Sequence, residues 1–390
     1  MTPGAPRPIL PGATIGILGG GQLGRMTGLA ARAMGYDVHV LDPDPSCPAR
    51  AVASRVITAR FDDAAAAVEL ASHCAVVTLE IEQIARPVLE AVAQHAPVRP
   101  GAEVVHVIQD RGRQKEWLQA RGVPVGPFRT VTSADDTAAA VRALGPSVVK
   151  SCFGGYDGRG QARVTDPAHA ADAWAAVGGR RAVVERFLDI ALELSVMVAR
   201  RPDGRHVVYP PAVNHHTAGV LTWSMLPGPL PTAVVEQATA IALDIAQGLG
   251  VEGLLAVELF VLADGSLAVN ELAPRPHNTY HASERACVTS QFEQLVRAVC
   301  MLPLGATDVV QPAAIVNLLG NLWSGGRQPD FVRALERPGV RLHLYGKTSA
   351  RPGRKMGHLS SVGDAPDEAL AASLEAYERL GADPAADDAA

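Results

Sequence analysis

GLLAVELFVLADGSLAVNELAPRPHN, residues 253–278, sets two apolar runs on either side of Asp264-Gly265. Asp-Gly between alternating apolar residues is a strong hairpin signal, most often a two-residue loop. Pairing Ala263 with Ser266 across that loop puts Glu258 directly opposite Glu271. Like charges opposed across a ladder repel each other. The neighbours expected on their face, Ala256, Phe260, Leu267 and Val269, are too apolar for an open, solvated surface. The pattern therefore calls for a cation between the carboxylates, and magnesium, which takes one or two carboxylates together with phosphate oxygens, is the natural choice. Strict alternation turns Asn270 to the opposite face. Directly after the second run, Pro274 and Pro276 stiffen a loop that carries Arg275, His277 and Asn278, an arrangement suited to substrate capture beside a metal.

Upstream, a strand ends at Lys150 and runs into FGGYDGRGQ, residues 153–161. Glycines this dense make a flap whose backbone N–H groups can close over phosphates, with Lys150 neutralising their charge. Nearer the N-terminus, TIGILG, GGQLG, a helical stretch and DVHVLD form a strand, glycine turn, helix and strand. Gly19, Gly21 and Gly24, with Asp42 ending the next strand, complete a dinucleotide fingerprint. The same turn serves any anionic group at a helix N-terminus, so a phosphorylated substrate fits as well as a nicotinamide cofactor. Further on, the basic loop YGKTSARPGRKMGH offers Lys347, Arg351, Arg354 and Lys355 to a phosphate.

The 390 residues suffice for two or three domains. We expect an α/β chain in which residues 1–113 form an N-terminal doubly wound parallel-sheet domain. A small α+β lid follows over 114–186, then a larger α+β C-terminal domain with a terminal β appendage over 187–378, and a tail over 379–390. The lead-in MTPGAPRPILPG reads as irregular rather than as a secretory signal. With 35 Lys+Arg against 40 Asp+Glu and no basic block, nothing favours a nucleic-acid partner. The richest apolar stretch is interrupted by Glu258 and Asp264, which argues against a membrane span. Five cysteines without C-x-x-C spacing fit reduced thiols in a cytoplasm.

Taken together, ILGGGQLGRM (17–26), GGYDGRGQ (154–161), NELAPRPHN (270–278), ACVTSQFEQ (286–294) and RPGRKMGH (351–358) resemble the ATP-grasp superfamily. Within it they resemble the N5-carboxyaminoimidazole ribonucleotide synthetases of purine biosynthesis. The resemblance implies an ATP-grasp fold and an ATP-dependent ligase: ATP phosphorylates bicarbonate to carboxyphosphate, and the amine of 5-aminoimidazole ribonucleotide takes up the carboxyl group. It implies ATP contacts from Arg111, Lys150, Gly155, Tyr156, Asp157, Gly158, Arg159, Gly160, Gln161, Glu193 and His216. Glu185, Arg186, Phe187 and Leu188 become an adenine hinge whose backbone amides and carbonyls read the base. Glu258 and Glu271 hold magnesium, with Asn270 adjacent. Gly21, Gln22, Leu23, Glu80, Tyr156, Arg275, His277, Asn278, Lys347 and Arg354 meet the ribonucleotide or bicarbonate. Arg275 orients the carboxyl group, Asp157 and Arg159 act from the flap, and Asp157 or His277 handles the amine proton. Glu82 belongs to the same acidic motif as Glu80. A homodimer is implied as well.

Two positions depart from the family pattern. Val213 stands where an acid precedes Asn214, which implies weaker nucleotide contacts, and Tyr280 replaces a glycine, which implies a crowded substrate pocket. Three competing readings are an NAD-dependent oxidoreductase built on GGGQLG, a sister ligase using formate or an amino acid, and a nucleotide-binding regulator without catalysis.

Overall fold

The computed structural model describes residues 7–155 and 160–381. The flap positions Tyr156, Asp157, Gly158 and Arg159 lie outside the described residues, as do the first six residues and 382–390 of the tail.

The N-terminal layer is a parallel sheet in the order β3-β2-β1-β4, built from β1 (Thr14–Leu18), β2 (Asp37–Asp42), β3 (Arg55–Thr58) and β4 (Val76–Leu79). Helices α1 (Gln22–Ala33), α2 (Ala64–Ala71), α3 (Arg86–Ala93) and α4 (Ala102–Ile108) accompany it. β1 is buried along nearly all its length, as expected of a central parallel strand. Helix α5 (Arg111–Ala120), capped by the Asp110 carboxylate accepting from the Arg113 amide, leads into a second, four-stranded sheet. That sheet runs β5-β8-β6-β7, from β5 (Phe128–Val131), β6 (Ser147–Ser151), β7 (Gln161–Val164) and β8 (Ala182–Arg186), with α6 (Ala134–Leu144) and α7 (Ala170–Ala176) packed on it.

The third sheet is the largest. β9 (Ile190–Arg200), β10 (His206–Val208), β11 (Ala212–Thr217) and β12 (Val220–Leu226) are followed by α8 (Thr232–Leu249) and the hairpin β13 (Gly253–Leu262) and β14 (Leu267–Ala273). Helices α9 (Ser283–Ala286) and α10 (Gln291–Val299) lead to β15 (Ala313–Leu319), α11 (Phe331–Leu335), β16 (Arg341–Leu344), β17 (Lys355–Val362) and α12 (Pro366–Glu378). The strand order is β14-β13-β9-β11-β12-β15-β17-β16, so the terminal β segment is hydrogen-bonded onto the central sheet through β12 and β15. No helix among the described residues is long and apolar enough to cross a membrane.

The glycine turn after β1 is filled from within the protein. The Glu80 carboxylate, at the end of β4, accepts from the Gly21 amide and, at 2.6 Å, from the Gly24 amide, while Asp42 Oδ2 accepts from the Gly20 amide at 2.7 Å. These are the donors a helix N-terminus offers to a ligand phosphate. Because two protein carboxylates already occupy them, the pyrophosphate of a nicotinamide cofactor has no place there. The structure thus accounts for the fingerprint without NAD, and Glu80 has both oxygens engaged. A Cβ on Gly19 or Gly21 would collide with Glu80, and one on Gly24 would lie 2.6 Å from the Gly19 carbonyl oxygen.

Both departures from the family pattern sit in packed interior. Val213 is 3% exposed and packs with Met225, Ala314 and Ala369, because alternation along β11 turns it away from Asn214. Tyr280 is fully buried, edge-on to Tyr209, its hydroxyl donating to the Ser195 and Pro210 carbonyls at 2.9 Å. Neither lines the cavity described below, so the expected effects on nucleotide contacts and on the substrate pocket have no direct route.

Behind β17 the rings of His281, His358 and His343 stack at centroid spacings of 4.7 and 4.5 Å, with interplanar angles of 12° and 8°. Burial holds all three imidazoles below their ordinary range. Glu284 lies against this stack, its Oε2 4.0 Å from His343 Nδ1. Ligand atoms of Glu284, His343 and His358 fall within 4.8 Å of one another. Nearly parallel rings point their lone pairs alongside each other rather than at a common centre, so the group packs as a stack and not as a formed metal site.

Two outcomes follow from these contacts. Gly24→Ala forces a methyl group onto a backbone oxygen, and urea unfolding should show a loss of about 1–3 kcal/mol, the range for overpacking. Burial raises the Glu284 carboxyl from 4.5 to about 7, against a weaker opposing pull from Arg341. The folded state therefore keeps a proton that the unfolded chain releases, and its stability falls as pH rises through that window. Glu284→Gln removes this penalty, so its advantage over the parent in urea melts should grow from near zero at pH 4 to at most about 3 kcal/mol at pH 8. An advantage that shrinks with rising pH would contradict the assignment.

Candidate active site

Glu258 faces Glu271 across β13 and β14, as the sequence predicts, but two local features produce that register. The turn is a three-residue loop, Ala263 to Gly265: the Leu262 amide donates to Ser266 O, the Gly265 amide donates to Leu262 O, and Gly265 takes φ 83°. This offsets the ladder by one residue, pairing Leu259 with Val269. Asn270 is then the extra residue of a bulge, and beyond it Glu258 meets Glu271. The turn and the bulge cancel. Leu267 and Val269 consequently lie on the other face, in the core with Leu255 and Leu259, rather than beside the glutamates. The bulge also swings Asn270 round to Glu258, its Nδ2 donating to Glu258 Oε2 at 3.3 Å, while its buried Oδ1 has no partner.

The two carboxyls are driven apart electrostatically. Burial raises Glu258, and the charge of Glu271 adds to this against the pull of His216. Burial also acts on Glu271, yet Arg111, whose Nη2 donates to Oε2 at 2.9 Å, brings its carboxyl below the usual range. Two carboxylates and an orphaned amide oxygen form a hard-oxygen donor set of the kind magnesium takes. Around them, His216 Nδ1 lies 2.5 Å from Glu193 Oε2 and, despite burial, is held above its ordinary value by that partner. His277 Nε2 lies 3.7 Å from Glu258 Oε1, and burial with the nearby Arg275 charge keeps its ring neutral.

Facing this acidic wall are the cations. Lys150, at the end of β6, places Nζ 3.2 Å from Glu185 Oε2. Arg275 Nε is 2.7 Å from Glu82 Oε1, so a buried guanidinium is fixed by an acid from the N-terminal layer. At the far end, Lys347 donates to the Lys355 carbonyl at 2.6 Å, and Arg354 donates to Ser349 O and Oγ at 2.8 Å.

One cavity of about 610 Å³ joins these groups. It is lined by Arg111, Lys150, Gly155, Gly160, Gln161, Glu193 and His216, all expected from the sequence. Glu258, Asn270, Glu271, Arg275, His277 and Asn278 line it too, as do Gln22, Leu23, Glu80, Lys347 and Arg354. Gly21 and residues 185–188 do not line it. The Arg186 amide donates to Pro127 O at 3.0 Å and the Phe187 amide to Pro146 O at 2.9 Å, so these two amides are not available to read a base. Lys115 was not foreseen: it is 1% exposed on α5, one turn beyond Arg111, and its Nζ also reaches Glu185 Oε2 at 3.2 Å. The i, i+4 spacing of Arg111 and Lys115 on one helix was the available signal.

Three family models match in chain order: a ribonucleotide synthetase preATP-grasp domain over residues 12–109, an ATP-grasp domain over 116–292, and a phosphoribosylaminoimidazole carboxylase C-terminal domain over 313–372. The N5-carboxyaminoimidazole ribonucleotide synthase of Bacillus subtilis is 39% identical over 362 residues, 92% of this chain and 94% of that protein. A solved ADP complex of an N5-carboxyaminoimidazole ribonucleotide synthetase superposes with a TM-score of 0.89 at 39% identity, covering 98% of this chain and 100% of the other. The Aspergillus clavatus N5-carboxyaminoimidazole synthase, solved with ADP and 5-aminoimidazole ribonucleotide, gives 0.86 at 30% identity, with 95% and 98% covered. This chain belongs to the N5-carboxyaminoimidazole ribonucleotide synthase family of ATP-grasp ligases.

Proposed function

We propose that the chain carboxylates the exocyclic amine of 5-aminoimidazole ribonucleotide, using ATP and bicarbonate by way of carboxyphosphate and releasing ADP and phosphate. The observation that carries this reading is one cavity lined both by the paired glutamates and by the cations Arg111, Lys150, Arg275, Lys347 and Arg354. Transfer of a phosphoryl group needs little covalent help from a protein; positioning and charge stabilisation do most of the work. Arg111 and Lys150 would take the nucleotide phosphates, with Glu193 and His216 lining the same cavity. Glu258, Glu271 and the unpartnered Asn270 Oδ1 would hold magnesium, which when bound neutralises charge on those phosphates.

In the first step a bicarbonate oxygen bonds to the γ-phosphorus as the bond to ADP breaks. Arg275, fixed by Glu82, orients the bicarbonate and then the carboxyphosphate. In the second step the amine nitrogen bonds to the carboxyl carbon, phosphate departs and the amine loses a proton. His277 is a weak base because it is buried and lies beside the Arg275 charge, and an anionic intermediate on Arg275 cancels part of that charge, strengthening His277 as proton acceptor when it is needed. Asp157 of the flap is the other candidate for that proton, with Tyr156 and Arg159 completing the closure. Lys347 and Arg354 suit the ribonucleotide phosphate, with Gln22 and Leu23 against its ribose. A homodimer working in the cytoplasm completes the proposal; light scattering of the purified protein tests the first part.

Phosphate release with magnesium, ATP and bicarbonate should rise at least tenfold on adding 5-aminoimidazole ribonucleotide and vanish without bicarbonate. Stimulation by formate or an amino acid instead would favour the sister-ligase reading, and ATP binding without turnover the regulator. Glu271→Gln should lower turnover at least a thousandfold with an unchanged circular dichroism spectrum, since it removes a charge from the cavity and the partner of Arg111. Retained turnover would sink the assignment of the metal carboxylates.

A further inference from the structure

We infer that Lys115 is a positioning residue of the nucleotide site: its buried ammonium holds the Glu185 carboxylate, so that Lys150 is free to leave that carboxylate for an incoming phosphate. The inference rests on the reading of Lys150 as an ATP contact. Glu185 sits in β8, an interior strand of its sheet, paired with Phe128 on one side and Val148 on the other, and its side chain is 12% exposed. A single oxygen of its carboxylate, Oε2, stands 3.2 Å from Lys115 Nζ and 3.2 Å from Lys150 Nζ, while its other oxygen has no partner. The two lysines reach it from different elements. Lys115 comes from α5 and is 1% exposed beside the Phe128 ring, whereas Lys150 lines the cavity.

This division of one carboxylate between two ammonium groups has a functional consequence. A buried carboxylate with one cation forms a closed pair, and breaking it leaves a buried charge uncompensated. If Lys150 were that sole cation, an ATP phosphate would draw it away only against the full penalty of stranding Glu185. With Lys115 in place the carboxylate stays neutralised when Lys150 turns to the phosphate. Burial acts on the Glu185 carboxyl, yet Lys150, Lys115 and the charge of Arg111 hold it down to about 2, so it is charged throughout the working range and the need for a counterion is permanent. Burial lowers the Lys115 ammonium and the Glu185 charge opposes that, so the charge of Lys115 depends on this pairing.

The test measures ATP affinity by titration calorimetry with magnesium, and steady-state KM and kcat, on the full chain. Lys115→Met should weaken ATP binding and raise its KM at least tenfold, with kcat and the KM for the ribonucleotide changed less than threefold. Adding Glu185→Gln to that variant removes the stranded charge and should restore ATP affinity to within about threefold of the parent. A role confined to packing would give no such rescue. Unchanged ATP affinity in Lys115→Met, or a double variant no better than the single, overturns the inference. Should Lys115→Met fail to fold, Lys115→Gln takes its place with the same expectations. A parent protein that binds no ATP would instead bring down the reading of the whole site, and this inference with it.

Discussion

Two carboxylates facing each other across a β-ladder are the constraint around which this molecule is arranged. Repulsion between Glu258 and Glu271 is only partly relieved within the hairpin, and Glu258, its side chain 16% exposed, has little water to screen it. The surrounding structure answers with charges brought from elsewhere in the chain. Arg111 arrives from α5 to stabilise Glu271. His216 reaches toward Glu258 from β11, itself held by Glu193. Asn270, displaced by the bulge, donates one amide hydrogen to Glu258 and turns an unpartnered oxygen into the same space. The remaining shortfall of positive charge is what a divalent ion would supply.

The cations are under the matching constraint. Arg275 and Lys150 would repel an approaching partner of their own sign and attract any anion; Arg275 is fixed by Glu82 before ligand arrives, while Lys150 waits at Glu185. Such preorganisation is how a phosphoryl-transfer site avoids reorganising at the moment of reaction. The tethers also bind the three layers together. Glu82 belongs to the N-terminal layer and Arg275 follows the central hairpin, while Lys115 joins α5 to an interior strand of the second sheet. Site electrostatics and domain packing are therefore the same set of contacts.

Much of this was legible in the sequence because short-range rules govern it. Alternation and Asp-Gly located the hairpin, and proline-stiffened APRPHN located the polar loop beside it. The Glu258–Glu271 register was read correctly although neither the loop length nor the bulge was foreseen; two one-residue shifts of opposite effect left the pair aligned, while Leu267, Val269 and Asn270 changed faces. Glycine spacing announced the turn after β1 but not its occupant, since Glu80 lies 59 residues beyond Gly21. Lys115 was hidden for a similar reason: a lysine on a polar helix is ordinarily solvated, and only the approach of β8 makes it a buried counterion. Val213 and Tyr280 looked like losses in the site because motif position was taken for orientation; strand parity and packing put both in the core.

Whether the bulged hairpin holds a divalent ion shared with nucleotide phosphates is tested most directly by anomalous diffraction from crystals grown with manganese and ADP. A single strong manganese peak bounded by Glu258, Glu271 and Asn270 Oδ1, on the side facing Lys150, is the expected result. A fully occupied nucleotide with no peak there, or with manganese only at other carboxylates, would contradict it.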